Sequence, residues 1–276
     1  MLDTLPTGRT LVMGVVNVTP DSFSDGGRWL DVDHAIAHGL DLVAAGADIV
    51  DVGGESTRPG AQRVDEDTEL RRVLPVVEAL ARNGVVVSVD TMRASVAGRA
   101  LDVGAAIVND VSGGRADPEM IPVVAGTDAP VVLMHWRHHS AHMHEHTSYD
   151  DLVADVITEL TEQVDTAVAA GIAAERIVID PGLGFSKTGE QNWTILAHLD
   201  AFNALGHRVL VAASRKGFLG DLLAVDGRPR PVDRRDDATA AITTLCAEAG
   251  IWAVRVHDAA SSADAVRVVA RLRGES

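Results

Sequence analysis

The sequence predicts an α/β protein, a single-domain (β/α)8 TIM barrel over residues 1–276. Three observations carry that expectation: eight short apolar, β-branched runs, an amphipathic helical stretch between one run and the next, and no linker or low-complexity segment anywhere along the chain. The runs are LVMGVVNV (11–18), DIVDVGG (48–54), VVVSVDT (85–91), AIVNDVS (106–112), PVVLMHW (130–136), RIVIDPG (176–182), RVLVAAS (208–214) and WAVRVHD (252–258). They are nearly continuous apolar stretches rather than alternating ones, as parallel strands covered on both faces require. Between them DEDTELRRVLPVVEALARNG and DLVADVITELTEQVDTAVAAG open on acidic residues and close on glycine, which are helix start and stop signals. Several helical stretches end AGA, NGV, VGA or AGI just before the next run, in keeping with glycine C-caps. Periodicity alone also admits a doubly wound open sheet, but the G-x-G-x-x-G phosphate fingerprint of that fold is absent after the first run.

Composition narrows the function classes. Hydrophobic residues make up 46% of the chain and aromatics 3%, so the core is built from Val, Leu, Ile and Ala. A formal charge of −16 argues against non-specific binding to nucleic acid or to an anionic membrane, and means that an anionic substrate needs a local basic site. The single cysteine, Cys246, cannot form an internal disulfide, which fits a reducing cytosol; its surroundings, ATAAITTLCAEAG, read as a packed helix and a buried, inert thiol. Near the N-terminus, which carries Asp3, the apolar stretch LVMGVV is too short for a signal or membrane segment. A soluble, cytoplasmic protein is expected.

Each run ends in polar residues: Asn17; Asp51 and Glu55; Asp90; Asn109; His135; Asp180; Ser214 through Lys216; and Arg255 through Asp258. In a parallel barrel those ends share one face, where barrel active sites lie. Asp, Asn and Ser at such junctions also serve as N-caps. Capping does not call for Arg255 and His257, which alternate within VRVHD and so point to the same side of their strand. A site on that face is the better reading. The longest polar connections, TPDSFSDGGRW and ESTRPGAQRV, follow the first two runs and suit binding loops. An arginine set between hydroxyls and a proline suits phosphate.

In this order MGVVNVTPDSFSDGG, DVGGESTRPG, SVDT, NDVSGG, DPGLGF, SRKGFLG and RVHD resemble the dihydropteroate synthase family over nearly the whole chain. The resemblance implies a (β/α)8 barrel, usually a homodimer, that joins a dihydropterin-CH2-diphosphate to p-aminobenzoate in folate biosynthesis. Pyrophosphate is released with Mg2+ as helper, and sulfonamides act as p-aminobenzoate mimics. Carried over residue by residue, Asp90, Asn109 and Asp180 match the pterin-edge groups, and Lys216 reaches the ring and the neighbouring aminobenzoate site. Arg255 covers the ring face, a favourable place for a planar cation. His257, Thr57 and Arg58 serve the diphosphate, and Asn17 with Asp25 matches the metal site, whose oxygen donors suit Mg2+. Phe23, Thr57, Pro59, Phe185 and Lys216 surround p-aminobenzoate, with its carboxylate near Gly217 at a helix N-terminus. The implied chemistry is S_N1-like: the C–O bond breaks first, the cation spreads over the pterin, and stabilisation of the departing pyrophosphate is the main catalytic contribution.

Two readings share the superfamily: a pterin-dependent methyltransferase and a non-catalytic pterin-binding paralogue. The complete ESTRPG and SRK segments favour the synthase over both. HWRHHSAHMHEH holds six histidines from His135 to His146, of which only His135 falls at a strand end. It lacks H-E-x-x-H order and reads as a solvated loop; a zinc-dependent barrel hydrolase would further need H-x-H at the end of the first run, where VNVTP stands.

Overall fold

A computed structural model describes residues 5–19, 28–56, 63–139 and 143–274. Eight parallel strands close into a barrel in chain order: β1 (Leu11–Asn17), β2 (Ile49–Gly53), β3 (Val87–Asp90), β4 (Ile107–Asp110), β5 (Val131–Met134), β6 (Ile177–Asp180), β7 (Arg208–Val211) and β8 (Ala253–Val256). The outer layer consists of α1 (Arg28–Ala44), α2 (Glu66–Arg82), α3 (Ala94–Asp102), α4 (Met120–Ala125), α5 (Leu152–Ala169), α6 (Gly189–Ala197), α7 (Leu199–Asn203), α8 (Gly217–Leu222), α9 (Asp236–Glu248) and α10 (Ala259–Arg273). Every strand falls inside its expected run and is shorter than it. The trailing residues leave the ladder to become caps or site groups, as where the Asp110 carboxylate accepts from Ser112 N, Ser112 Oγ and Gly114 N.

The helices follow from their sequence. In α2 Asp65 caps the first turn by accepting from Thr68 N at 2.8 Å, and Val73, Val76, Val77 and Leu80 repeat at helical spacing to form the buried face. Each of those side chains contributes about 1.5–3 kcal/mol by leaving water. In α5 Asp151 caps Ala154 N, and Val156, Leu160, Val164 and Ala167 face the barrel. The chain then reverses at glycines with positive φ, among them Gly104 (φ 111°), where a Cβ would sit 2.8 Å from Ala81. Cys246 is wholly buried in α9 and burial pushes its thiol up to about 12, so it is inert. Among the described residues no helix is long and apolar enough to cross a membrane.

Strand parity places the site. Leu11, Met13, Ile49, Ile107, Val132, Val178, Leu210 and Ala253 pack together as one apolar plug inside the barrel. Residues two or four positions further along the same strands also point inward: Asn17, Asp51, Asn109, Asp180 and Arg255. Ladder register sets their heights, with Val15 opposite Asp51, Gly53 opposite Asp90, Asp90 opposite Asn109 and Met134 opposite Asp180. The lumen is therefore apolar at its floor and polar at the C-terminal rim.

Candidate active site

Arg255 on β8 reaches across the rim. Its Nε donates to Asp51 at 2.6 Å and its Nη2 to Asp90 at 2.6 Å, while Asn109 Nδ2 donates to the same Asp51 oxygen at 3.1 Å. Asp180 takes the Gly182 N–H at 2.7 Å. Asp51, Asp90, Asn109 and Asp180 are all buried. Burial pushes the Asp90 carboxyl well above the ordinary range, Arg255 pulls it back and Asp51 adds to the rise. Asp180 is also raised by burial, against the Gly182 N–H and the cations Lys216, Lys187 and Arg255. The rim thus offers carboxylates and an amide to a flat donor–acceptor edge, with planar and ammonium cations at close range. Arg255 stands paired with both Asp51 and Asp90.

Lys216 enters from the β7–α8 connection. Its ammonium donates to the Leu183 carbonyl and lies 4.3 Å from the centre of the Phe185 ring, a cation–π contact. Burial lowers its pKa to about 8, with Asp180 opposing the shift. Arg215 adopts φ 60°, a left-handed conformation rare outside glycine, and pairs with Asp236 at 2.7 Å. The buried Arg235 holds the turn by donating to the carbonyls of Arg215 at 2.9 Å and Lys216 at 3.2 Å. Gly217 is exposed at the first position of α8. His257 is anchored on Ser214, whose hydroxyl meets both its backbone N–H and its Nδ1.

Asn17 ends β1, half-buried on the lumen side of the rim. Phe23, Asp25, Thr57, Arg58 and Pro59 lie outside the described residues. The second loop is anchored on either side of its undescribed part: Arg93 donates to Glu55 at 2.8 Å, to Val64 O at 2.5 Å and to Glu69, and Thr91 Oγ1 donates to Glu69 at 2.6 Å. Among the described residues no group of three or more His, Cys, Asp or Glu side chains could hold a metal ion. Asn17 has an amide oxygen, which together with phosphate oxygens would make a donor set suited to Mg2+, an ion that needs few protein ligands.

Residues 13–257 match the pterin binding enzyme family. The dihydropteroate synthase of Mycobacterium leprae is 58% identical over 260 residues, covering 94% of this chain and 92% of that one. The chain belongs to the dihydropteroate synthase family. It is accordingly an enzyme, a transferase of folate synthesis. Among solved structures, Xanthomonas albilineans dihydropteroate synthase with 4-aminobenzoic acid superposes with a TM-score of 0.89 at 42% identity, covering 97% of this chain and 94% of that one. Yersinia pestis dihydropteroate synthase in a sulfonamide drug complex gives 0.90 at 40% identity, covering 98% and 96%.

Within this dihydropteroate synthase fold the start of the histidine-rich segment, residues 135–139, is less solvated than its composition suggests, while His146 is exposed. His135 is wholly buried; His138 stacks on His146 at 4.7 Å, and His139 meets the Trp136 ring edge-on at 5.0 Å. Aromatic packing, which composition does not report, draws the half-buried His138 and His139 out of water. Reasoning from sequence assigned no role to Asp51, although it was visible as a strand-end carboxylate with inward parity. Nor did it single out Arg93 or Arg235, whose partners come from distant parts of the chain.

Proposed function

We propose that the chain is a dihydropteroate synthase: it condenses 7,8-dihydropterin-6-ylmethyl diphosphate with p-aminobenzoate to 7,8-dihydropteroate and pyrophosphate. The observation that carries this reading is the convergence of Asp90, Asn109, Asp180, Arg255 and Lys216 on one barrel rim. Asp180 and Asn109 take the pterin edge deep in the barrel, with Asp90 beside them. Arg255 lies against the ring, and its planar cation both packs on the face and keeps Asp51 and Asp90 in place. Lys216 stands between pterin and amine, with Phe185 forming an apolar wall for p-aminobenzoate and Gly217 beside its carboxylate. His257, held by Ser214, faces the diphosphate together with Thr57 and Arg58, and Phe23 and Pro59 complete the amine pocket.

The reaction runs in the dissociative sense. The C–O bond breaks, the pyrophosphate leaves with the electron pair, the pterin carries the positive charge, and the neutral arylamine attacks and then loses a proton. The protein's task is to hold the leaving group's charge, which the cations of the rim do by preorganised electrostatics. Mg2+ bound by Asn17 and Asp25 would supply further neutralisation of the pyrophosphate. The X. albilineans and Y. pestis enzymes, with 4-aminobenzoic acid and a sulfonamide, support an aminobenzoate pocket open to sulfonamides. The reading extends to a cytosolic homodimer. Cys246, buried and unpaired, agrees with a reducing compartment, and Leu245, Val268 and Leu272 expose apolar surface on α9 and α10, which pack side by side.

The deciding experiment measures pyrophosphate release and dihydropteroate formation with dihydropterin diphosphate and Mg2+, with and without p-aminobenzoate, and with a sulfonamide added. Product formation that depends on p-aminobenzoate, inhibited by the sulfonamide and restored by excess p-aminobenzoate, is expected. Tight pterin binding without product would assign the chain to a non-catalytic role.

A further inference from the structure

Lys187 is a lysine only 4% exposed, placed just beyond the DPGLGF segment. Its ammonium has three acceptors: His135 Nδ1 at 2.9 Å, Gly182 O at 3.1 Å and Phe185 O at 3.2 Å. An ammonium has three N–H donors and no acceptor, so each proton has one partner. Because Lys187 donates to Nδ1, the His135 imidazole carries its proton on Nε2 and passes it as a hydrogen bond to Glu159, 3.0 Å away on α5. Arg137 holds that carboxylate from the other side. The result is a chain from cation to anion through a neutral ring. The neutral ring and the anion agree with this order, since burial lowers the His135 pKa to about 4 and, against burial, hydrogen bonds from His135 and Arg137 hold the Glu159 carboxyl below its ordinary range. Burial works against the Lys187 charge, which its three acceptors support.

Two of the three acceptors lie on the turn that follows β6. This turn is tightly folded: Gly182 at φ 70°, Gly184 at φ 76° and Ser186 at φ 46° all take left-handed conformations. A Cβ on Gly184 would come within 2.7 Å of Lys216 Cδ. The segment whose two ends Lys187 grips, Gly182 to Phe185, carries the groups that seat Lys216, namely the Leu183 carbonyl and the Phe185 ring. The third acceptor, His135, sits at the end of β5, so the ammonium ties the turn to the barrel wall.

We propose that Lys187 is a positioning residue of the reaction: relayed through His135 to Glu159, it locks the turn at 182–187 so that Leu183 and Phe185 present the Lys216 ammonium to the amine substrate. This rests on the reading of Lys216 given above. A site needed only for packing is filled more favourably by an apolar side chain than by a buried charge, because desolvating an ammonium is costly. What the lysine adds is three directed bonds from one atom.

The test compares Lys187→Met with the unaltered enzyme, varying p-aminobenzoate under steady-state conditions and measuring pterin binding separately by calorimetry. Methionine keeps the length of the side chain and removes all three donors. The expected result is a loss of about 10-fold or more in kcat/KM for p-aminobenzoate, as displacement of a reacting neighbour by about 1 Å produces. Pterin affinity, held by strand residues, changes far less. Lys187→Gln, which keeps an N–H for the turn carbonyls, recovers part of the loss. Unchanged kinetics in Lys187→Met, or an equal loss on both substrates, overturns the proposal. If Lys187→Met does not fold, His135→Leu, which removes one acceptor of the ammonium, must show the same asymmetry in weaker form, and its absence counts against the proposal equally. Lys216→Met run in parallel separates the two failures. Normal turnover there removes the reading of Lys216 and the proposal with it, whereas a severe loss there beside a normal Lys187→Met removes the proposal alone.

Discussion

Arg255 Nε lies 2.6 Å from Asp51 Oδ2, and the other oxygen of that carboxylate, Oδ1, is buried and has no hydrogen-bond partner among the described residues. Asp51 is thus a buried anion whose main compensation is one arginine, and that arginine has Asp90 as its second anchor. Removing one member of such a set strands the others. Asp51→Ala is expected to destabilise the fold by about 3 kcal/mol, seen as a lower urea midpoint. Asp51→Asn keeps the shape and a carbonyl for Arg255 but releases the charge. It should fold well and lose about 10- to 100-fold in kcat/KM for the pterin substrate, because Arg255, proposed to cover the ring, is no longer fixed in place. Pterin kinetics unchanged in Asp51→Asn would mean that Asp90 alone sets the guanidinium.

Lys216 links the site to stability through pH. Its folded pKa is about 8 against the ordinary 10.5, chiefly through burial. Between those values the unfolded chain binds the proton more readily than the folded one, so stability rises with pH across this window. The favourable contribution is complete above 10.5 and is lost as pH falls through 8. In Lys216→Met that slope should flatten relative to the unaltered enzyme, measured by urea unfolding at pH values on either side of 9, while turnover drops severely. An unaltered slope in the variant would show that another group titrates there.

Gly220 lies under Arg235. A Cβ at this position would stand 2.3 Å from the guanidinium that donates to the Arg215 and Lys216 carbonyls. Gly220 has no unusual φ, so space and not backbone conformation is what excludes a side chain. Gly220→Ala should cost about 1–3 kcal/mol by overpacking. It should also lower kcat by more than the fraction unfolded explains, since the guanidinium can move only by releasing the turn that carries Lys216. Thermal unfolding and kcat on the same preparation separate the two effects. A stability loss with full kcat would show that the turn holds without Arg235.

The barrel was legible because its signals are local. An apolar run, a cap and a closing glycine each declare themselves within a few residues, and all eight strands fall inside the runs so marked. Inward parity was legible too, since Arg255 and His257 alternate on one strand. What closure adds is the relation between strands. Arg255 is level with Met13 and Asp51 with Val15, so the pairing of Arg255 with Asp51 across β1 depends on two ladder registers that no single segment encodes. Lys187 was hidden differently: a lysine seven residues beyond a strand end reads as exposed unless the chain folds back. Here it does so partly through Ser186, whose φ of 46° its residue type does not announce.

Arg93, half-buried, and the buried Glu69 form another pair that only the fold brings together. Glu69 on α2 is 1% exposed and takes hydrogen bonds from Thr91 and Arg93; Arg93 also binds Glu55 and Val64 O, on either side of residues 57–62. Substituting Arg93 with methionine leaves a buried carboxylate with a hydroxyl as its remaining partner. A loss of about 3–5 kcal/mol is expected. If the penalty comes from the stranded anion, neutralising it should return part of the stability. The double variant Arg93→Met with Glu69→Gln is therefore expected to be more stable than the sum of the singles predicts, by about 1–3 kcal/mol, which urea unfolding of the four proteins measures as a cycle. Strict additivity would show that Arg93 acts through Glu55 and the Val64 carbonyl instead, as an anchor of the second loop rather than as the counter-ion of Glu69.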